Sequence, residues 1–199
     1  MDWTGTLWLA ALPALATVIV PAGSAKPRLI AAWKATAALL LALYAVGFYH
    51  LAWGLHGLGY STHIELFPVG WRELSRQVIT QADRARAPSG QPLLIVGMDR
   101  YAIASELTFY APDLSRALCR TTSGQLFGQV GLMYERWFPP GSLQGRDLLI
   151  VGYSADDVAD FKIAAHVGNL GPIEEGVLVH HGTPVRHYFY RFASAYKGS

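Results

Sequence analysis

Charged side chains are scarce in this 199-residue chain, making up 15% of it against roughly 25% in soluble globular domains. The shortage is concentrated at one end. Between Met1 and Tyr60 only Asp2, Lys26, Arg28 and Lys34 carry formal charge, and the other 26 acidic and basic side chains all follow. Such a split divides the chain into an oily segment, residues 1–60, and a more polar domain, residues 61–199. Basic runs are lacking too: the net charge is +2 and the arginines are scattered singly, which excludes the electrostatic footprint of a nucleic-acid binder. One cysteine, Cys119, rules out an internal disulfide and a thiolate zinc site, and reads as a small buried apolar residue. Low-complexity stretches are missing.

What the first sixty residues do contain is apolar length. Trp3 to Val20 is an apolar run of 18 residues with Pro13 inside it, and Leu29 to Leu58 is longer, broken only by Lys34, His50 and His56. About 20 residues cross a hydrocarbon core, so two membrane spans are expected. Lys34 lies near the start of its segment and can extend its amine to the interface, while Trp33, Trp53 and Tyr60 flank the second span as interfacial aromatics do. A cleavable leader is the competing reading, because "AGSA" loosely resembles a cleavage site. Asp2, the want of a basic residue before the run, and the length of the run oppose it. Lys26, Arg28 and Lys34 cluster at the short connection, and basic residues favour the cytoplasmic side. The expected topology places the domain from about Ser61 outside the cytoplasm.

That domain shows regular periods. "GWRELSRQVITQADRARA" puts Trp71, Leu74, Val78 and Ala82 at steps of three and four, an amphipathic helix that ends before the turn cluster "PSGQP". "LLIVG" occupies 93–97 and again 148–152, each time followed by a polar turn and a helical pattern. Unbroken apolar strands suit a sheet covered on both faces. Strands alternating with helices then predict an α/β layer with a largely parallel sheet. "EEGVLVHHGTPVRHYFYRF" reads as a C-terminal hairpin with Tyr188, Tyr190 and Phe192 on one face of its second strand. The glycine- and aromatic-rich stretch between the units predicts an irregular crossover with one short helix near Gln129 to Trp137.

Motifs with chemistry are few. "VGYSADD" invites comparison with the nucleophile elbow G-x-S-x-G, but Asp156 stands where the second glycine belongs, so Ser154 or Asp156 is read as a helix N-cap instead. Neither "LLIVG" unit extends to G-x-G-x-x-G or a P-loop, and no nucleotide cofactor is expected. His180, His181 and His187 lie near one hairpin. Adjacent strand histidines point to opposite faces, so they read as ordinary strand residues and no metal site is assigned. In "DRYAIASELTFYAPDL", Ile103, Leu107 and Tyr110 form a helical stripe with Glu106 at its edge. A half-buried carboxylate needs a partner, and Arg100 or another domain arginine is the candidate. Glu106 is read first as an anchor between helix and sheet, and second as a polar contact to a substrate or membrane partner. Arg100, Tyr101, Glu106 and Tyr110 are accordingly the substrate or interface candidates.

"GWRELSRQV", "LLIVGMDRYAIASELTFYAP", "LQGRDLLIVGYS" and "LGPIEEGVLVHHGTPVRHYFYRF" together resemble, in order, the C-terminal region of bacterial family-thirty-nine glycosyltransferases. These are multispanning enzymes related to protein O-mannosyltransferases and the lipid A aminoarabinose transferase. Tyr101 to Pro112 carries the most specific part of the likeness. The resemblance implies a sugar donor on a polyprenyl-phosphate carrier, transfer on the extracytoplasmic face, and a place in the bacterial inner membrane. It departs from the family where catalysis sits: the catalytic acids lie in a loop after the first of many membrane helices, whereas here Asp2 is the one carboxylate side chain before Glu65. A transferase needs a base for its acceptor and often a metal against phosphate charge. No catalytic residue is therefore carried over, and the chain is read as the C-terminal piece of such an enzyme, a fragment or half of a split protein. A non-catalytic, membrane-tethered binding or scaffold domain is the alternative.

Overall fold

The computed structural model describes residues 16–17, 27–55, 58–60, 69–85, 90–118 and 120–198. The chain divides into two compact units, Met1–Trp53 and Gly54–Ser199. In the first, helix α1 runs from Pro27 to Trp53. Proline in the first turn lacks only an N–H that would have had no helical partner. Its stretch Ile30–Trp53, 24 residues, rises about 36 Å, enough for a hydrocarbon core of roughly 30 Å. The helix stops at Gly54, whose φ of 79° suits glycine at a helix C-terminus, so it is shorter than the expected Leu29–Leu58. Among the described residues this is the one helix long and apolar enough to cross a membrane, where two spans were expected. The first run, Trp3 to Val20, lies outside the described residues except for Ala16 and Thr17, which are helical. Cys119 also lies outside them.

The second unit is an α/β lobe. Helix α2, Trp71–Arg84, buries Leu74, Val78 and Ala82 as their spacing requires, together with Ser75 and Ile79. Buried Ser75 donates its hydroxyl to the Leu107 carbonyl at 2.9 Å, which satisfies a polar group that burial would otherwise penalise. Strands β1, Leu94–Gly97, and β3, Leu148–Gly152, are buried throughout. They pair in parallel, with Leu94 opposite Leu148 and Gly97 opposite Val151. The two "LLIVG" copies thus stand one residue out of step, since sequence alignment would set Leu93 against Leu148. Both glycines are sterically required: a Cβ on Gly97 would lie 2.9 Å from Ile103 Cβ, and one on Gly152 would lie 2.8 Å from Asp157 Cβ. Their smallness lets the following helices lie against the strand ends.

Helices α3, Ala102–Phe109, and α4, Leu114–Leu118, lead to β2, Thr121–Ser123, which pairs in parallel with β1. Buried Arg120, just before β2, donates to Asp83 at 2.7 Å and ties that strand to the end of α2. The crossover to β3 holds a 3-10 turn at Gly124–Phe127, the short helix α5, Tyr134–Trp137, and a second 3-10 turn at Pro140–Leu143. After β3 come α6, Ala155–Ala159, and α7, Phe161–His166, then β4, Asn169–Leu170, β5, Glu174–His180, and β6, Thr183–Ser194. Ser154 caps α6, not Asp156: the Ser154 hydroxyl accepts from Asp157 N at 3.2 Å while Asp157 Oδ2 accepts from Ser154 N at 3.0 Å. That is a reciprocal capping box.

The sheet is mixed where a largely parallel one was expected. Its order is β2-β1-β3-β6-β4, with β5 also on β6. The two pairs made by β1 are parallel, and the three made by β6 are antiparallel. The cause is the length of β6. Its first part forms the hairpin with β5, and its second part, Phe189 to Ala193, continues alongside β3, so the terminal hairpin joins the main sheet. Its turn is the two-residue pair His181 and Gly182, with φ of 47° and 80°. Two positive φ values match the right-handed twist of a tight hairpin.

Alternate residues send two cores to opposite faces. Leu94, Val96, Leu148 and Ile150 meet Phe127, Tyr134, Val158 and Ile163 on one side. Ile95, Leu149 and Val151 meet α2, Ile103, Leu107, Tyr188 and Tyr190 on the other. Replacing Gly97 by alanine pushes a methyl into Ile103, and overpacking of this kind costs about 1–3 kcal/mol. Gly141→Ala, where a Cβ meets nothing within 4 Å, is expected to change stability by less than ~0.5 kcal/mol. Chemical denaturation of both variants checks the contrast.

Candidate functional site

The chain leaves β1 toward α3 on one face of the sheet and leaves β3 toward α6 on the other, because the strands they lead to, β2 and β4, lie on opposite sides of the β1–β3 pair. At such a switch point an open α/β sheet forms a crevice beyond the strand ends. Here the protein's own polar side chains occupy it. Asp99 turns back onto α3, its Oδ2 accepting from the amides of Ala102 at 2.7 Å and Ile103 at 3.1 Å. Burial raises the Asp99 pKa above its ordinary value although these amides lower it, and the charge of Asp157 adds to the rise.

Glu106 lies one turn further along α3 and is only 6% exposed. Its Oε2 accepts the Tyr153 hydroxyl at 2.7 Å. Over the Tyr153 ring, 4.3 Å from its centroid, lies the guanidinium carbon of Arg186, itself buried on β6. Cation and ring attract through the ring quadrupole. Burial pushes the Glu106 pKa up to about 7; the hydrogen bond from Tyr153 lowers it, Asp99 raises it, and Arg186 lowers it. The Tyr153 hydroxyl is driven upward by burial and by the adjacent Glu106. A carboxyl poised near neutrality is what general acid–base chemistry uses. In this place it is buried and already hydrogen-bonded, so its present work is to fasten α3 to the ends of β3 and β6.

The four residues singled out by sequence do not converge. Arg100 is exposed, and the arginine beside Glu106 is Arg186. Tyr101 packs against the core on the α5 side of the sheet, whereas Glu106 faces the α2 side. Tyr110, at the end of α3, meets the Trp71 ring at 6.5 Å and has the Arg72 guanidinium 5.8 Å from its centroid. Sequence reasoning missed Tyr153 and Arg186. A signal existed: Arg186 shares the alternation of Tyr188, Tyr190 and Phe192, so it is the polar member of the face assigned to the core.

Two further features were not foreseen. A cleft of about 680 Å³ opens beside the first 3-10 turn, lined by Gln125, Phe127 and Gly128 of that turn region, Glu135 of α5, Pro140, and Lys162 and His166 of α7. Close by in sequence, Val130, Leu132, Met133 and Trp137 are all exposed, Trp137 to 60%. Leu132 has a φ of 51°, a left-handed conformation that costs a branched side chain energy and that turns often hold for function. Elsewhere His180 Nδ1 contacts Glu73 at 2.9 Å, and His187 contacts Glu175. Among the described residues no group of three His, Cys, Asp or Glu side chains could hold a metal ion.

Compared with protein-family models, curated proteins and solved structures, the chain matches none. The site is therefore read from its own residues.

The Glu106 geometry yields a pH test. Its pKa is raised on folding from an ordinary 4.5 to about 7, so between those values the folded state binds more protons than the unfolded one. Stability from this group is full below pH 4.5 and falls as pH rises to about 7. A shift of this size corresponds to roughly 3 kcal/mol for a group almost out of water. Glu106→Gln keeps an oxygen for the Tyr153 hydroxyl and has no proton to lose, so this decline is expected to vanish in urea titrations run from pH 4 to pH 8.

Proposed function

We propose that this chain is the membrane-anchored, non-catalytic lobe of a bacterial glycosyltransferase that draws its sugar from a polyprenyl-phosphate carrier. The lobe lies on the extracytoplasmic side and works with a catalytic membrane part supplied outside these 199 residues. The observation that carries the reading is one short segment, 130–137, in which Val130, Leu132, Met133 and Trp137 are all exposed, in a chain that also contains a 24-residue apolar helix. Apolar side chains exposed together mark a place of contact with lipid or protein, and Trp favours the level of the headgroups. The likeness of the Tyr101–Pro112 pattern to the family adds the substrate class.

A non-catalytic role is supported by how the carboxylates beyond the strand ends are used. Asp99 and Asp157 accept backbone amides, and Glu106 accepts Tyr153. Each of the three is already engaged within the fold, whereas a base for an acceptor hydroxyl must be able to meet it. A membrane-tethered binding domain without any part in transfer is the second reading, and the cleft beside α7 is the observation in its favour.

Two measurements test the first reading. A cysteine at exposed position 141 is expected to react with a membrane-impermeant maleimide on intact bacterial cells, and labelling only after permeabilisation overturns the topology. The chain alone, in proteoliposomes with a polyprenyl-phosphate sugar, is expected to give no transfer. Turnover there would refute a non-catalytic lobe.

A further inference from the structure

The cleft beside α7 has a chemistry of its own. Its volume of about 680 Å³ lies within the roughly 300–1,000 Å³ common for small-molecule sites. Gln125 is buried and its amide is oriented from behind: Oε1 accepts from the Ser123 hydroxyl at 2.9 Å and Nε2 donates to Thr122 Oγ1 at 2.8 Å. An amide carries two donors and two acceptor lone pairs, so each end keeps further capacity. Phe127 is buried beneath the cleft, with the His166 ring edge-on at 6.2 Å.

Lys162 and His166 stand four residues apart on α7, which puts them on one side of the helix. His166 Nδ1 lies 2.7 Å from the Lys162 carbonyl. In the neutral ring Nδ1–H donates to that oxygen, and Nε2 is left as an acceptor. The lining therefore offers an ammonium donor, a carboxylate acceptor in Glu135, an imidazole acceptor and a fixed amide, beside apolar surface that includes Pro140.

We infer that this cleft is a saccharide-binding site, taking a neutral sugar of one or two rings. The argument is one of complementarity. An inorganic anion would meet Glu135, a cation would meet Lys162, and an apolar ligand would leave all the polar groups without water or partner, at a cost. Vicinal sugar hydroxyls both donate and accept, so a neutral sugar answers a carboxylate and an ammonium alike, while its C–H face rests on apolar lining such as Pro140. This inference does not depend on the transferase reading, since a tethered binding domain would use the same cleft.

Saturation-transfer NMR on the full chain in nanodiscs, with cellobiose, maltose and chitobiose as separate probes, tests it. Transfer to at least one is expected at millimolar sugar. Lys162→Met and Glu135→Gln are each expected to weaken that binding about tenfold, equivalent to the loss of one hydrogen bond to a charged group. Both side chains are exposed, so melting temperature should not change. Absence of transfer from all three sugars, transfer indifferent to both substitutions, or displacement of the sugar by equimolar inorganic phosphate would each overturn the assignment. Because the readout is binding by this chain alone, its failure leaves the proteoliposome and labelling results untouched.

Discussion

Two strands with no exposed side, β1 and β3, lie parallel at the centre of the lobe, and the remaining structure answers the requirement that both their faces be covered. Leu94, Ile95, Val96, Leu148, Leu149, Ile150 and Val151 are fully buried. Completely burying a side chain of this size contributes roughly 1.5–3 kcal/mol, so neither face can be left to water. The covering runs in opposite directions: β1 feeds α3 on the α2 side, and β3 feeds α6 on the other. Right-handed crossovers moving opposite ways along a sheet must lie on opposite faces. The glycines at 97 and 152 let this happen at close range, because each following helix approaches where a methyl would collide.

The same topology opens a gap beyond the strand ends, and the polar network fills it. Glu106 is costly to bury, yet it links three elements distant in sequence: α3, the turn after β3 through Tyr153, and β6 through Arg186. The site balances opposing demands. Burial favours the neutral acid, whereas Arg186 and the Tyr153 hydroxyl favour the carboxylate, and the group titrates close to neutrality. Removing one member of such a network strands the others in a poor solvent, which makes the tie specific as well as stabilising. Arg191 plays a similar part on the other face, donating to the carbonyls of Gly171 and Val158.

Surface features are distributed differently from core features. Polar side chains hydrogen-bonded to one another and to the backbone stand at the switch point, while the cleft and the exposed apolar side chains both belong to the irregular crossover between β2 and β3 and its neighbour α7. Irregular segments on a rigid scaffold commonly carry function. Here Gly131 helps explain the projection of those side chains: a Cβ there would lie 2.6 Å from Gln125 Cβ, so the backbone is drawn against the 3-10 turn and the next residues, Leu132 and Met133, are carried outward.

Composition and period alone determined the division into an apolar segment and an α/β lobe, the α2 helix with its buried face, both "LLIVG" strands, a helix cap at Ser154 or Asp156, and the hairpin. These depend on contacts a few residues apart, or on the repeat of one apolar face, and such signals survive without knowledge of neighbours. Tertiary structure decided the one-residue offset between the two repeated strands, the entry of β6 beside β3 that makes the sheet mixed, and the partner of Glu106. It also decided that Arg100, Tyr101, Glu106 and Tyr110 face different surroundings, and that Gln125, Glu135, Lys162 and His166 share a cleft. Each of these joins residues tens of positions apart, and a one-dimensional pattern carries no term for which distant side chain will fill a given gap.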